Sequence, residues 1–123
     1  ARPSLRLMAL AWEQVVIETA DAVTLGQWWA EALGWAVVDD GPIVFGIQPT
    51  PGQVPGILFL QSDAEKQKKN RLHLDFRPDD QAAEVERLIG MGARRIDVGQ
   101  GDVPWVVLAD PDGNEFCILG GPH

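Results

Sequence analysis

The sequence predicts an α+β chain built from two copies of a βαβββ module. Two observations carry this: a strand, a helix and three strands follow one another twice, and landmark residues recur at a constant offset. Gln14 stands seven residues before Asp21, and His73 stands seven before Asp80. Leu33-Gly34 at the end of one helical stretch answers Met91-Gly92 at the end of the other. Such self-similarity points to duplicated supersecondary units, neither of which buries its helix and sheet face well alone. The modules cover about residues 10–61 and 71–120 of one domain spanning 1–123, with the polar stretch Ser62 to Asn70 as the joint.

The elements follow in order. Gln14 to Thr19 is a β-rich run. Asp21 then offers an N-cap, and Ala22, Leu25, Trp29 and Ala32 recur on one helical face. Gly34 ends that helix, since glycine takes the left-handed conformation without a Cβ penalty. Strands over Trp35 to Val38, Ile43 to Ile47 and Gly56 to Gln61 come next, separated by Asp39-Asp40-Gly41-Pro42 and by the Pro- and Gly-rich stretch Pro49 to Pro55. In the second module a strand runs from Arg71 to Phe76. Asp80 caps a helix that turns Ala82, Val85 and Leu88/Ile89 inward, and Gly92 stops it. Strands Arg94 to Val98, Trp105 to Ala109 and Glu115 to Leu119 complete the repeat. Asp110-Pro111-Asp112-Gly113-Asn114 fits a tight hairpin turn whose role is to set strand register.

Composition excludes several function classes. With 46% apolar and 23% charged residues the chain is neither disordered nor a membrane protein, and no apolar run approaches the roughly 20 residues that cross a bilayer. Ala1 to Arg6 carries positive charge without an apolar core, so it reads as a loose arm rather than a secretory signal. A net charge of −8 repels a phosphate backbone, which argues against nucleic acid as a partner. Cys117 is the single cysteine, no internal disulfide can form, and the cytoplasm is the expected compartment. Five Trp, four Phe and no Tyr are unusual, and rings of this kind line either a core or a pocket.

Three segments resemble the vicinal oxygen chelate superfamily, which includes glyoxalase I, extradiol dioxygenases, fosfomycin resistance proteins and bleomycin-binding proteins. They are Trp28-Trp29-Ala30-Glu31-Ala32-Leu33-Gly34-Trp35, Arg71-Leu72-His73-Leu74-Asp75-Phe76 and Asp110-Pro111-Asp112-Gly113-Asn114-Glu115-Phe116. The resemblance covers Gln14 to Leu119 and is closest to glyoxalase-like proteins. It implies the glyoxalase/bleomycin resistance/dihydroxybiphenyl dioxygenase fold, with the modules forming a curved mixed sheet round a small-molecule cavity. It also implies pairing into a homodimer.

Strand alternation assigns the faces. Trp12, Gln14, Val16 and Glu18 share one side of the first strand, and Arg71, His73, Asp75 and Arg77 share one side of the fifth, while Leu72, Leu74 and Phe76 oppose them. The apolar sides belong to the helices and the polar sides to the cavity; by resemblance Glu115, Cys117 and Leu119 of the last strand also face the cavity. The metal positions of the superfamily fall on Gln14, His73, Phe59 and Cys117. Phe59 cannot coordinate, and Cys117 stands where the family has Glu, with Glu115 two residues earlier on the same face. Gln, His and Cys make an unusual mixture for Mn, Fe or Ni chemistry. A metal-free cavity is therefore expected, with Gln14, His73, Glu115 and Cys117 as the ligands of a Zn, Ni, Mn or Fe ion in the alternative. His73, Arg71 and Asp75 then orient an organic ligand by hydrogen bonds, or His73 is a structural histidine of the sheet. Trp12 and Trp105, with Phe45 and Phe59, wall a pocket for a flat or apolar molecule, or the indoles seal the module interface. Lys66, Lys68, Lys69 and Arg71 are a solvated joint or an anion-drawing rim. Cys117 lacks a base at a telling spacing and reads as packing. Gly99-Gln100-Gly101 precedes a strand and is no phosphate cradle.

Three functions compete at this stage. The first is a metal-independent protein that sequesters or processes an aromatic or apolar metabolite or antibiotic. The second is a divalent-metal lyase or isomerase in which Glu18 or Glu115 moves a proton. The third is an interaction module, which predicts no pocket of about 300 Å³ or more.

Overall fold

Both copies of the repeat are present in a computed structural model, which describes residues 10–63, 66 and 68–120. The arm Ala1 to Arg6 lies outside the described residues. The chain divides into two compact units after Ser62, at the start of the expected joint.

The first unit contains β1 (Gln14–Thr19), α1 (Ala22–Leu33), β2 (Ala36–Asp40), β3 (Val44–Gln48) and β4 (Gly56–Gln61). Its sheet order is β1-β4-β3-β2, with β1 parallel to β4 and the other pairs antiparallel. The Asp21 carboxylate accepts the Thr24 N–H at 3.1 Å and the Thr24 hydroxyl at 2.7 Å, capping α1 and holding that carboxyl below the usual range. Gly34 closes the helix at φ 68°, as expected. The Gln61 side-chain oxygen accepts the Ala22 N–H at 2.8 Å and so ties the start of α1 to the end of β4.

Register corrects one expectation. Ile17 pairs with Phe59 and Phe59 with Phe45, and ladder partners share a face, so all three look the same way. Phe45 and Phe59 are only 1% and 0% exposed, and the Phe45 ring lies against Gly26 of α1. They belong to the helix-facing core and wall no cavity. The other face of β1 presents Gln14, Val16 and Glu18 to the exterior.

The second unit repeats the plan with β5 (Leu74–Phe76), α2 (Gln81–Gly90), β6 (Arg94–Arg95), β7 (Val106–Ala109) and β8 (Glu115–Ile118), in sheet order β5-β8-β7-β6. Again the first strand of the module runs parallel to its last. β5 is shorter than the expected Arg71–Phe76 because its ladder begins at Leu74↔Phe116. Upstream, the Asn70 N–H donates to the Glu115 carboxylate and its side-chain amide donates to Asn114, and Leu72 is left 88% exposed instead of packing under the helix. β6 also stops early. The Asp97 carboxylate takes the Gly99 N–H at 2.7 Å and the Gln100 side-chain oxygen takes the Val98 N–H at 2.9 Å, a local pairing that competes with the strand ladder. Asp80 caps α2 through the Ala83 N–H at 3.1 Å, but only Val85 and Leu88 are buried; Ala82 and Ile89 stay exposed.

The β7–β8 turn behaves as its chemistry requires. Asp110 is fully buried, and one carboxylate oxygen accepts the N–H groups of Asp112 and Asn114, each at 2.9 Å. Gly113 takes φ 88° and donates its N–H to the Asp110 carbonyl at 2.8 Å. No helix among the described residues is long and apolar enough to cross a membrane.

The contact at Gly26 gives a test of the first core. A Cβ at that position would lie 2.2 Å from the Phe45 ring. Gly26→Ala gains about 1 kcal/mol of helix propensity but forces the ring to move, so a net loss of about 1–2 kcal/mol is expected in urea denaturation. The double variant Gly26→Ala/Phe45→Leu should recover part of that loss relative to Phe45→Leu alone.

Candidate functional site

The second unit carries a hollow of about 440 Å³, and strand pairing builds it. Asp75 of β5 lies beside Cys117 of β8, and Val107 of β7 lies on the other side of Cys117. Alternation turns Glu115, Cys117 and Leu119 to this face and sends Phe116 and Ile118 to the other. His73, two residues before Asp75, joins them. Trp105 stands just before β7 at one wall, half-exposed, and the loop after β6 contributes Val98, Gly99 and Gln100. Lys69 completes the lining from the joint.

Most charges in the hollow are already answered. Glu115 is nearly buried, which alone raises a carboxyl, but the Lys66 ammonium at 2.7 Å and the Asn70 N–H at 3.0 Å outweigh burial and hold it below the usual range. His73 Nε2 lies 3.1 Å from an Asp75 carboxylate oxygen. Burial first, and the neighbouring Asp75 carboxylate second, push the Cys117 thiol up, with the Lys69 charge acting weakly the other way. A thiol kept protonated is a poor nucleophile, in agreement with its reading as a packing group.

His73, Asp75 and Cys117 present one donor atom each, all within 4.8 Å of one another. This trio differs from the expected ligand set. Glu115 is held by Lys66, Phe59 is in the core, and Asp75 joins His73 and Cys117. A nitrogen, a carboxylate oxygen and a thiol do not fit the oxygen-rich coordination of Mn or Fe. The trio suits a borderline-soft ion, zinc above all, once the thiol proton is lost.

The family model for the glyoxalase-like domain matches residues 14–119. The chain belongs to the glyoxalase-like domain family. This places it in the vicinal oxygen chelate superfamily. Solved structures share the glyoxalase-like fold at low identity. A glyoxalase/bleomycin resistance protein/dioxygenase family enzyme from Burkholderia phytofirmans is 21% identical, with a TM-score of 0.68 over 89% of this chain and 97% of that one. The trypanothione-dependent glyoxalase I of Leishmania major is 14% identical, with a TM-score of 0.68 over 91% and 87%. The bleomycin-binding protein of Streptomyces verticillus, solved with copper(II)-bleomycin, is 14% identical, with a TM-score of 0.61 over 92% and 98%. A comparison with curated proteins finds no match.

Seven of the residues singled out from the sequence meet in the hollow: Lys69, His73, Asp75, Trp105, Glu115, Cys117 and Leu119. Arg71 is exposed and does not line it, and Trp12, Gln14 and Glu18 are exposed positions of the first unit. Sequence reasoning missed Val98 and Gln100, whose loop turns on side-chain-to-backbone bonds that carry no periodic signal. It also missed Lys66 and Asn70 as the anchors of Glu115, although the basic joint was visible.

The anchored carboxylate predicts a pH-dependent stability. Glu115 has a lowered folded pKa, so its contribution is present above the unfolded carboxyl range near about 4.3 and is lost as the pH falls through the folded value. Lys66→Met should cost about 1–2 kcal/mol at pH 7, discounted for the partial exposure of the lysine, and the gap to the parent should narrow as the pH falls below the unfolded carboxyl range and through the folded value. Chemical denaturation across that range measures it.

Proposed function

We propose that the protein binds a small apolar or aromatic organic molecule in the hollow of its second module, without requiring a metal ion, and so sequesters or processes a metabolite or antibiotic. One observation carries this reading: the hollow falls in the size range of small-molecule sites, about 300–1,000 Å³, and sets the apolar side chains of Trp105, Val107, Val98 and Leu119 against a few convergent polar groups. The same volume counts against a pure interaction module. The fold shared with a protein solved with bound copper(II)-bleomycin supports capture as an activity this architecture performs.

Ligand binding is read by thermal shift and by tryptophan fluorescence over a panel of aromatic metabolites and antibiotics. Binders should quench emission, and Trp105→Ala should weaken them by about tenfold or more, the effect of losing an aromatic wall. A panel that moves neither signal removes the proposal.

A second reading rests on the His73, Asp75 and Cys117 trio, which supports a zinc-type ion and a metal-assisted lyase or isomerase. Elemental analysis of protein purified without affinity nickel distinguishes it. One zinc per chain, lost in His73→Ala and in Cys117→Ser, is its expected signature; metal-free protein that binds the panel leaves the first reading alone.

A further inference from the structure

Polar groups left without a partner in the hollow reveal what a guest must bring. Asp75 faces His73 and the Cys117 thiol, and Glu115 is met by Lys66 and the Asn70 N–H. Gln100 spends its side-chain oxygen on the Val98 N–H at 2.9 Å, which fixes the amide and leaves its NH₂ group to donate. Lys69 lines the same hollow and has no ion pair among the described residues. Each carboxylate of the hollow has a partner, whereas an ammonium and an amide NH₂ are left over among the described residues.

We infer that the hollow takes an apolar or aromatic monocarboxylate, its carboxylate held by Lys69 and Gln100 and its hydrocarbon part against Trp105, Val107 and Leu119. This deepens the proposed binding function and rests on it. A carboxylate accepts from both leftover donors at once, and its charge compensates an ammonium that the protein itself leaves unanswered. A neutral ligand leaves Lys69 dependent on water. A cationic ligand meets the lysine as a like charge, and the two carboxylates of the hollow are already committed. In a strongly acidic chain a single unpaired ammonium is a local means of selection for an anionic guest.

Matched pairs of probes test the inference: 2-naphthoate against 2-naphthamide, and phenylacetate against phenylacetamide, by calorimetry on the full chain. Chelator is present so that no metal ion captures the acid. The acids should bind about tenfold more tightly than their amides, the usual gain for one charge-assisted hydrogen bond. Raising the salt from 20 mM to 500 mM should shrink that preference, by about the loss expected for a half-exposed ion pair. Lys69→Met should abolish the preference of acid over amide. Equal affinity for acid and amide overturns the assignment of ligand class but leaves the binding function standing. A preference that survives Lys69→Met overturns the role of Lys69. Failure of both members of every pair to bind overturns the inference, and if the wider aromatic panel fails too, the binding function falls with it.

Discussion

The parallel ladder between the first and last strand of each module is the constraint from which the rest follows. In the second module it sets Asp75 beside Cys117, and the pleat then decides which side chains share a face. A slip of one residue would put Asp75 beside Phe116 or Ile118 and dissolve the cluster. On the other side of β8, the Asp110 turn holds β7 and β8 in one relative position through a buried carboxylate. The site is thus a product of register, and its residues need not be neighbours in the chain.

Electrostatics then determine what the face can do. A carboxylate almost out of contact with water is costly unless donors surround it, and Lys66 and Asn70 supply them to Glu115. That arrangement gives Glu115 an architectural task, fastening the joint to β8. Cys117 is kept protonated in a different way, by its burial first and by the neighbouring Asp75 carboxylate second. The result is a polar floor with little spare acceptor capacity beneath an apolar wall.

Much of this was legible in the sequence, for identifiable reasons. Asp21 and Asp80 as caps, Gly34 as a stop and the extents of β1 and β4 are local events, decided by residues a few positions apart. Alternation also placed His73 and Asp75 on one face, with Glu115 and Cys117 there by resemblance. Cross-strand register was not legible. Phe59 is expected at a cavity wall, but its pairing with Ile17 puts it in the buried core on the helix side, together with Phe45. The shortened β5 and β6 have the same origin: side chains of Glu115, Asp97 and Gln100 accept the backbone N–H groups of Asn70, Gly99 and Val98 in place of ladder partners. Periodicity does not report such local competition.

The two helices differ in a way that bears on adaptability. α1 is anchored by six buried residues and α2 by two, although their caps are alike. Local opening costs least where the fewest apolar contacts must be broken, so the amides of α2 should exchange with solvent ahead of those of α1. The module that carries the hollow is therefore backed by the looser helix. Two copies of one plan thus differ in how firmly their helices are held, and the wall of the hollow has the lighter backing.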